Sequence, residues 1–380
     1  MSEDFLPLAR PDITDEEVDE VVDTLRSGWL VFGQKSQRLE RDFAAFTDSP
    51  HAVSVSSCTA GMHLALMAYG IGPGDEVITS ALTFASTASV IVHVGATPVL
   101  ADICADDLNI DPAEIERRIT ARTKAIMPVH YAGQPCRMDE INAIARRHGL
   151  RVIEDAACAV GSKYKGRPVG AISDAAVFSF YAIKNMTTAE GGMLTTADAA
   201  LAEQVSVLRN QGTDTNAWKR YSEAGQPFYT LLTPGFNYRM TDVHASIGLG
   251  QLRRLPEFTR RREQLAARYT RLFADVPQVE PPAVRDDVET NWYIYVIRLR
   301  ETPVARNEVI DRLKAKGIGT AVHYLPVHYH PYFREHFGFR KGDYPVTETE
   351  FERLISIPLF PLMQDSDVDR VVEAVHESVR

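Results

Sequence analysis

The chain has 380 residues, 45% hydrophobic and 24% charged, with no Pro/Ser or Gly/Ser tract. A chain of that length buries roughly three quarters of its unfolded surface, which excludes a disordered polymer and leads us to expect one large and one small domain. The formal charge of −10 argues against nucleic acid as a bulk electrostatic partner and leaves room for one phosphorylated small molecule in a local pocket.

In chain order, Thr14 and Glu17 form a capping box for a first helix. Val18, Val21, Val22 and Leu25 supply its apolar stripe, and Ser27-Gly28 ends it. From there to about residue 200, short β-branched runs alternate with helical segments. Expected strands are 51–55, 76–79, 98–101, 125–129, 151–154, 175–180 and 192–195, and helices are expected at 61–69, 86–94, 112–119 and 138–148. Asp111-Pro112 supplies N-cap and N1 of the third of these helices. Strands separated by helices imply right-handed crossovers and a mostly parallel sheet, which binds ligands beyond the carboxyl ends of its strands. After Pro234-Gly235 two charged helices are expected at 242–255 and 257–273. A strand at 292–299, a helix at 306–316, a strand at 319–324 and a terminal helix from Asp367 follow. The expected organisation is α/β: a large domain over 1–250 with an N-terminal arm and a seven-stranded, mostly parallel sheet, and a smaller C-terminal α/β domain over 251–380.

Two strand ends carry the chemistry. Arg151-Val152-Ile153-Glu154-Asp155 ends an apolar strand with a carboxylate. Phe178-Ser179-Phe180 leads to Lys184 shortly before Glu190-Gly191-Gly192. Pyridoxal phosphate (PLP) requires this pair: an amine to condense with its aldehyde, and a carboxylate to keep the pyridine nitrogen protonated so that the ring accepts electrons. Taken singly, Lys184 reads as a solvated lysine and Asp155 as a cap or surface acid. Beside a pyridinium, Asp155 gains a charged partner that compensates its desolvation.

Ser57, Cys58 and Thr59 open the helix after the first strand, where unpaired amides and the dipole favour a phosphate. The structural alternative for these hydroxyls is simple N-capping. Ser179 is a second hydroxyl at a strand mouth. Phe84, just past another strand end, fits either stacking on a flat heterocycle or packing on the helix that follows.

Other patterns lack their required context. Gly70-Ile71-Gly72-Pro73-Gly74 precedes a strand, whereas a dinucleotide loop follows one. His323, His328 and His330 are interleaved with Tyr324, Pro326 and Tyr329, without a helical i,i+4 pair backed by Glu, so no metal is expected. Cys58, Cys104, Cys136 and Cys158 make no C-x-x-C pair, as expected of reduced thiols in a cytoplasmic protein. The acidic start Met1-Ser2-Glu3-Asp4 lacks an apolar export region, and no apolar run reaches about 18 residues, so neither export nor a membrane partner is expected.

Together, Ser57-Cys58-Thr59-Ala60-Gly61, Val152-Ile153-Glu154-Asp155-Ala156-Ala157, Phe178-Ser179-Phe180 with Lys184, Glu190-Gly191-Gly192 and Gly235-Phe236-Asn237-Tyr238-Arg239-Met240 strongly resemble the DegT/DnrJ/EryC1/StrS family of sugar-nucleotide aminotransferases, over nearly the whole chain. Within it, Val129-His130-Tyr131-Ala132-Gly133 and Ala182-Ile183-Lys184-Asn185-Met186-Thr187 look most like members that aminate a UDP-linked 4-keto-pentose. The resemblance implies aminotransferase fold type I and an obligate homodimer with active sites at the subunit interface. It makes Lys184 the lysine bonded to PLP, Asp155 the partner of the pyridine nitrogen, Phe84 the stacking ring, and Cys58, Thr59 and Ser179 phosphate contacts. Asn237 matches a residue that in many relatives reaches the neighbouring subunit's phosphate. Cys158 stands where Gln or His is usual beside the cofactor ring, and a thiol is a poorer hydrogen-bond partner.

The implied reaction takes an amino group from glutamate and delivers it, through the same lysine, to the keto carbon of a nucleotide-linked sugar, at C-4. His323, Tyr324 and His328 are candidate substrate contacts or packing residues. The rival readings are a PLP enzyme acting on amino acids only and a catalytically silent relative with a binding or regulatory role. A 3-dehydratase is disfavoured, because the resemblance implies histidine in place of Lys184 there.

Overall fold

The computed structural model describes residues 5–214 and 228–380. All seven expected strands form, within a residue or two of their expected ends: β1 (His51–Val55), β2 (Glu76–Ser80), β3 (Thr97–Ala101), β4 (Thr123–Met127), β5 (Arg151–Asp155), and, after a short hairpin of β6 (Lys163–Tyr164) and β7 (Arg167–Pro168), β8 (Ala175–Ser179) and β9 (Gly192–Thr196). They make one sheet in the order β1-β9-β8-β5-β4-β2-β3. The central pairings are parallel, while β9 runs antiparallel to both β1 and β8.

The period-two alternation of each strand decides which face a residue serves. Val152 of β5 and Ala176 and Phe178 of β8 join a core with helix Met138–His148, Leu39 and Phe43. Ile153, Ala175 and Val177 join the opposite core with helix Cys58–Ala68. Glu154 therefore points to the first face and Asp155, with Ser179, to the second. With both faces covered, the strands read as apolar runs without a polar stripe. The turn Gly70–Gly74 only connects helix to β2, using positive φ at Gly70 (70°) and Gly74 (92°).

Four expectations need correction. The stripe on helix Asp15–Ser27 does not face the core: Val18 is 50% and Leu25 53% exposed, whereas Glu17 and Thr24 are buried. Glu17 closes the capping box with Thr14 and accepts from Gln251 Nε2 at 3.0 Å, so the polar side packs. The two helices expected after residue 242 are one, Asp242–Phe273, with Pro256 inside it. Proline removes one backbone bond, but Leu249, Leu252 and Leu255 are held in the first core and Leu265, Ala266, Tyr269 and Phe273 in another, and this packing keeps the helix continuous. The expected domain boundary at 250/251 lies within this helix.

The segment 319–324 is no strand; it makes only an isolated bridge, Ala321 to Ser356. The smaller antiparallel sheet consists of β10 (Val279–Glu280), β12 (Tyr295–Leu299) and β13 (Leu354–Ile357), in that order, while β11 (Val288–Glu289) pairs with β6. A fourth difference is helix Gln34–Phe46, which has no expected counterpart. Its N-cap is Gly33, and the capping group comes from elsewhere: Asp242 accepts from Gly33 N at 2.8 Å, Ser36 N at 2.9 Å and Ser36 Oγ at 2.6 Å.

Candidate active site

A cavity of about 380 Å³ opens beyond the carboxyl ends of β5 and β8. Ser57, Cys58, Thr59, Phe84, Asp155, Cys158, Ser179, Lys184, His323 and Tyr324 all line it. Topology explains the convergence of the sheet residues, since each strand but the antiparallel β9 delivers its following residues to the same edge.

Asp155 is 4% exposed. Its Oδ2 accepts from Thr87 Oγ1 at 2.7 Å and its Oδ1 from Ala157 N at 3.1 Å, with Cys58 Sγ 3.9 Å away. Thr87 in turn bonds Thr83 at 2.8 Å. No cationic side chain is among these partners, so the buried carboxylate is placed for a cation brought by a ligand. Burial pushes the Cys58 thiol well up, and the neighbouring Asp155 adds to it, so this sulfur stays a neutral donor.

Lys184 sits in the loop that follows β8, with its N–H donating to Tyr181 O at 2.9 Å. Nζ lies 3.2 Å from Cys158 Sγ and 4.2 Å from the centroid of the Tyr293 ring. Burial works against the ammonium, but Cys158 and Tyr293 more than offset it, and the lysine titrates above its ordinary range.

A cradle of the kind that could take a phosphate forms where helix Cys58–Ala68 begins. Ser57 caps this helix by accepting from Ala60 N at 3.1 Å. Gly192 crosses close beneath: a Cβ there would lie 2.7 Å from Cys58 N, from Ser57 C and from Phe178 O. Ser179 stands on the same rim. The donor set, the buried acid and the primary amine, all on the walls of one cavity, fit the phosphate, pyridine nitrogen and aldehyde of PLP by their chemistry.

Phe84 is 61% exposed on the cavity lip, its ring 6.0 Å from that of Tyr324. It is thus not the packing residue its alternative reading required. Tyr324 reaches Cys158 Sγ at 3.6 Å. His323 Nδ1 pairs with Ser356 Oγ at 2.7 Å, and burial, with Lys184 nearby, lowers its pKa to about 4, so it is neutral.

Two expected residues stay apart from this cavity. His328 is fully buried, 3.0 Å from Glu348 Oε1 and packed against Tyr329 and Tyr344, which assigns it to packing in this chain. Asn237 accepts from Arg239 Nη2 at 2.8 Å and does not line the cavity of its own chain. His323 and His328 thus serve separate partners. Among the described residues the group whose ligand atoms converge as a metal site would need is Cys104, Asp106 and Asp107, and its acids pair with Arg137 and Arg285.

Sequence reasoning missed Thr87 and Tyr293. Thr87 lies one helical turn past Thr83, a spacing that puts both hydroxyls on one face of helix Ala85–His93 and its lead-in. Tyr293 had no local signal, because it lies 109 positions from the lysine it covers.

A family model described as the DegT/DnrJ/EryC1/StrS aminotransferase family matches residues 11–376. The spore coat polysaccharide biosynthesis protein SpsC of Bacillus subtilis is 51% identical over 379 residues, which covers 99% of this chain and 97% of that protein. The solved PLP form of Spr1654 from Streptococcus pneumoniae is 36% identical, covers 99% of this chain and 100% of its own, and superposes with a TM-score of 0.92. PseC of Helicobacter pylori, an aminotransferase involved in pseudoaminic acid biosynthesis, is 28% identical with a TM-score of 0.90, over 99% of both chains.

Proposed function

The chain belongs to the DegT/DnrJ/EryC1/StrS aminotransferase family, with aminotransferase fold type I and PLP as cofactor, and from that premise we propose that it transfers an amino group from glutamate to the C-4 keto group of a nucleotide-linked sugar. The observation that carries the site assignment is that Lys184 and the buried acid Asp155 line one cavity.

When bound, PLP supplies the aldehyde and the electron sink. Asp155, fixed by Thr87 and the Ala157 amide, keeps the ring nitrogen protonated. The start of helix Cys58–Ala68, with Thr59 and Ser179, holds the phosphate, and Phe84 covers the ring plane. Lys184 Nζ takes the proton from the donor's α-carbon in the first half-reaction and returns one to the sugar carbon that bore the keto oxygen in the second. Tyr324 and His323 border the space left for the sugar. Neutral His323 offers a hydrogen bond without a charge, which suits a hydroxyl-rich acceptor.

The proposed working unit is a homodimer, in which Asn237 reaches the partner's phosphate. Neighbouring exposed apolar side chains support it: Leu25, Leu30 and Val31 are each 44% or more exposed, apolar area that a second copy would cover. Sedimentation equilibrium of the full chain checks this. We place the reaction in the cytoplasm; no described helix is long and apolar enough to cross a membrane.

The deciding experiment converts the PLP-loaded protein with glutamate, then offers a panel of 4-keto-sugar nucleotides. The expected result is return of the visible absorbance of the lysine-bound cofactor with a 4-keto sugar, and its absence throughout in Lys184→Ala. Return with a simple keto acid and with no sugar nucleotide would make this an amino-acid enzyme instead.

A further inference from the structure

The sequence motifs leave Tyr293 and Asn291 without a role, yet the structure builds them against the lysine. We propose that Tyr293 is a positioning residue for Lys184, its ring face holding Nζ in place within a frame set by Asn291. The inference rests on the reading of Lys184 as the residue that bonds the cofactor.

Asn291 is fully buried, and its side chain uses both kinds of polar atom. Nδ2 donates to Cys158 O at 2.9 Å and to Val160 O at 2.8 Å, while Oδ1 accepts from Tyr293 N at 3.0 Å. Its backbone O accepts from Asn185 Nδ2 at 2.9 Å, next to the lysine itself. One residue thus ties the loop after β5, the loop carrying Lys184 and the lead-in to β12. Those segments carry the two groups that touch Nζ, Cys158 and Tyr293. From the other side, buried Arg262 donates to Tyr293 O at 3.1 Å and Leu359 O at 2.7 Å. The backbone of Tyr293 is therefore pinned on both its N–H and its C=O, and the residue is buried.

The titratable groups that line the cavity with Lys184 are Cys158, Tyr293, His323, Tyr324, Cys58 and Asp155, with Tyr181 and Glu190 from its own loop. Burial keeps the Cys58 and Tyr324 protons on and His323 neutral. An aromatic face attracts a cation whatever the protonation state of its neighbours. Tyr293 therefore gives an attraction for cationic nitrogen that persists across the working pH range.

The test uses full-length PLP-loaded enzyme and the pH at which the lysine-bound cofactor changes colour. Tyr293→Leu removes the ring face and should lower that midpoint by about one pH unit, the size expected of a desolvated cation–π contact. It should also cut kcat by about tenfold with KM for the donor little changed, as for a contact that acts on the reacting nitrogen and not on substrate binding. Tyr293→Phe keeps the face and should titrate closer to the parent than Tyr293→Leu does. A parental midpoint in Tyr293→Leu overturns the proposal. So does an equal shift in Tyr293→Phe, which would assign the effect to the phenol oxygen. The premise fails separately, whatever Tyr293 does, if Lys184→Ala still shows the coloured, pH-dependent form.

Discussion

The Thr87 hydroxyl donates to Asp155 Oδ2 at 2.7 Å, so a helix that begins beyond β2 orients the acid that ends β5. A hydrogen bond to a charged group contributes about 1.5–3 kcal/mol, equivalent to roughly 10- to 100-fold in a rate or binding constant. Thr87→Val is expected to lower kcat/KM by at least about tenfold, and Thr87→Ser to recover most of it. Steady-state kinetics decide, and parental activity in the valine variant would remove Thr87 from the site.

Gly192→Ala addresses the cradle. The added methyl meets the backbone of Ser57, Cys58 and Phe178 at 2.7 Å, and backbone atoms move only together with their strand and helix. Overpacking costs about 1–3 kcal/mol, and here it falls on the proposed phosphate position. We expect PLP to bind about tenfold more weakly or worse, measured by equilibrium dialysis of the folded variant.

Behind the sheet, His130 Nε2 lies 2.6 Å from Glu154 Oε2, with both residues fully buried. Cys136 N donates to His130 Nδ1 at 3.1 Å, so the ring proton is on Nε2 and points at the acid. Glu154 also accepts from Ser173 Oγ at 2.5 Å. Glu154→Ala orphans both donors and should cost about 2–5 kcal/mol in urea unfolding. Its kcat, measured where the protein is folded, should change far less than that of Thr87→Val.

His323 supplies a pH signature. Its folded pKa is lowered from the ordinary value near 6.5 to about 4 by burial and by Lys184. Between those values the unfolded chain binds a proton that the folded chain refuses, so stability is complete above pH 6.5 and falls as pH drops toward 4. In His323→Gln the loss between pH 7 and pH 5 should be smaller than in the parent, by urea midpoints at the two pH values. Equal losses would mean that His323 is not sheltered from protons.

Local sequence was sufficient for the sheet and for the residues at its mouth. Seven apolar runs separated by helical segments specify strands and crossovers, because burial on both faces demands continuous apolar residues. Topology then carries whatever follows each parallel strand to one edge, which is why Asp155, Ser179 and Lys184 could be named from their positions in the chain. The same logic failed wherever a local signal was supplied or cancelled from afar. Helix Gln34–Phe46 is capped by Asp242, more than 200 positions away. Pro256 reads as a break, yet two cores grip the helix on either side of it.

Tertiary structure alone decided the rest of the site. The residues 323 and 324 read as strand, but they leave β13 after one bridge and border the cavity, while His328, four positions further on, turns into a packed cluster with Glu348 and Tyr344. Tyr293 and Asn291 carry no motif, since their contacts to Lys184, Cys158 and Asn185 span more than 100 residues of chain. Sequence determined which chemical groups this protein brings to one edge, through the two-residue repeat of its strands. Which distant side chains close around them was set by how the segments around residues 293 and 323 come to line the same cavity, a matter of packing that no local pattern encodes.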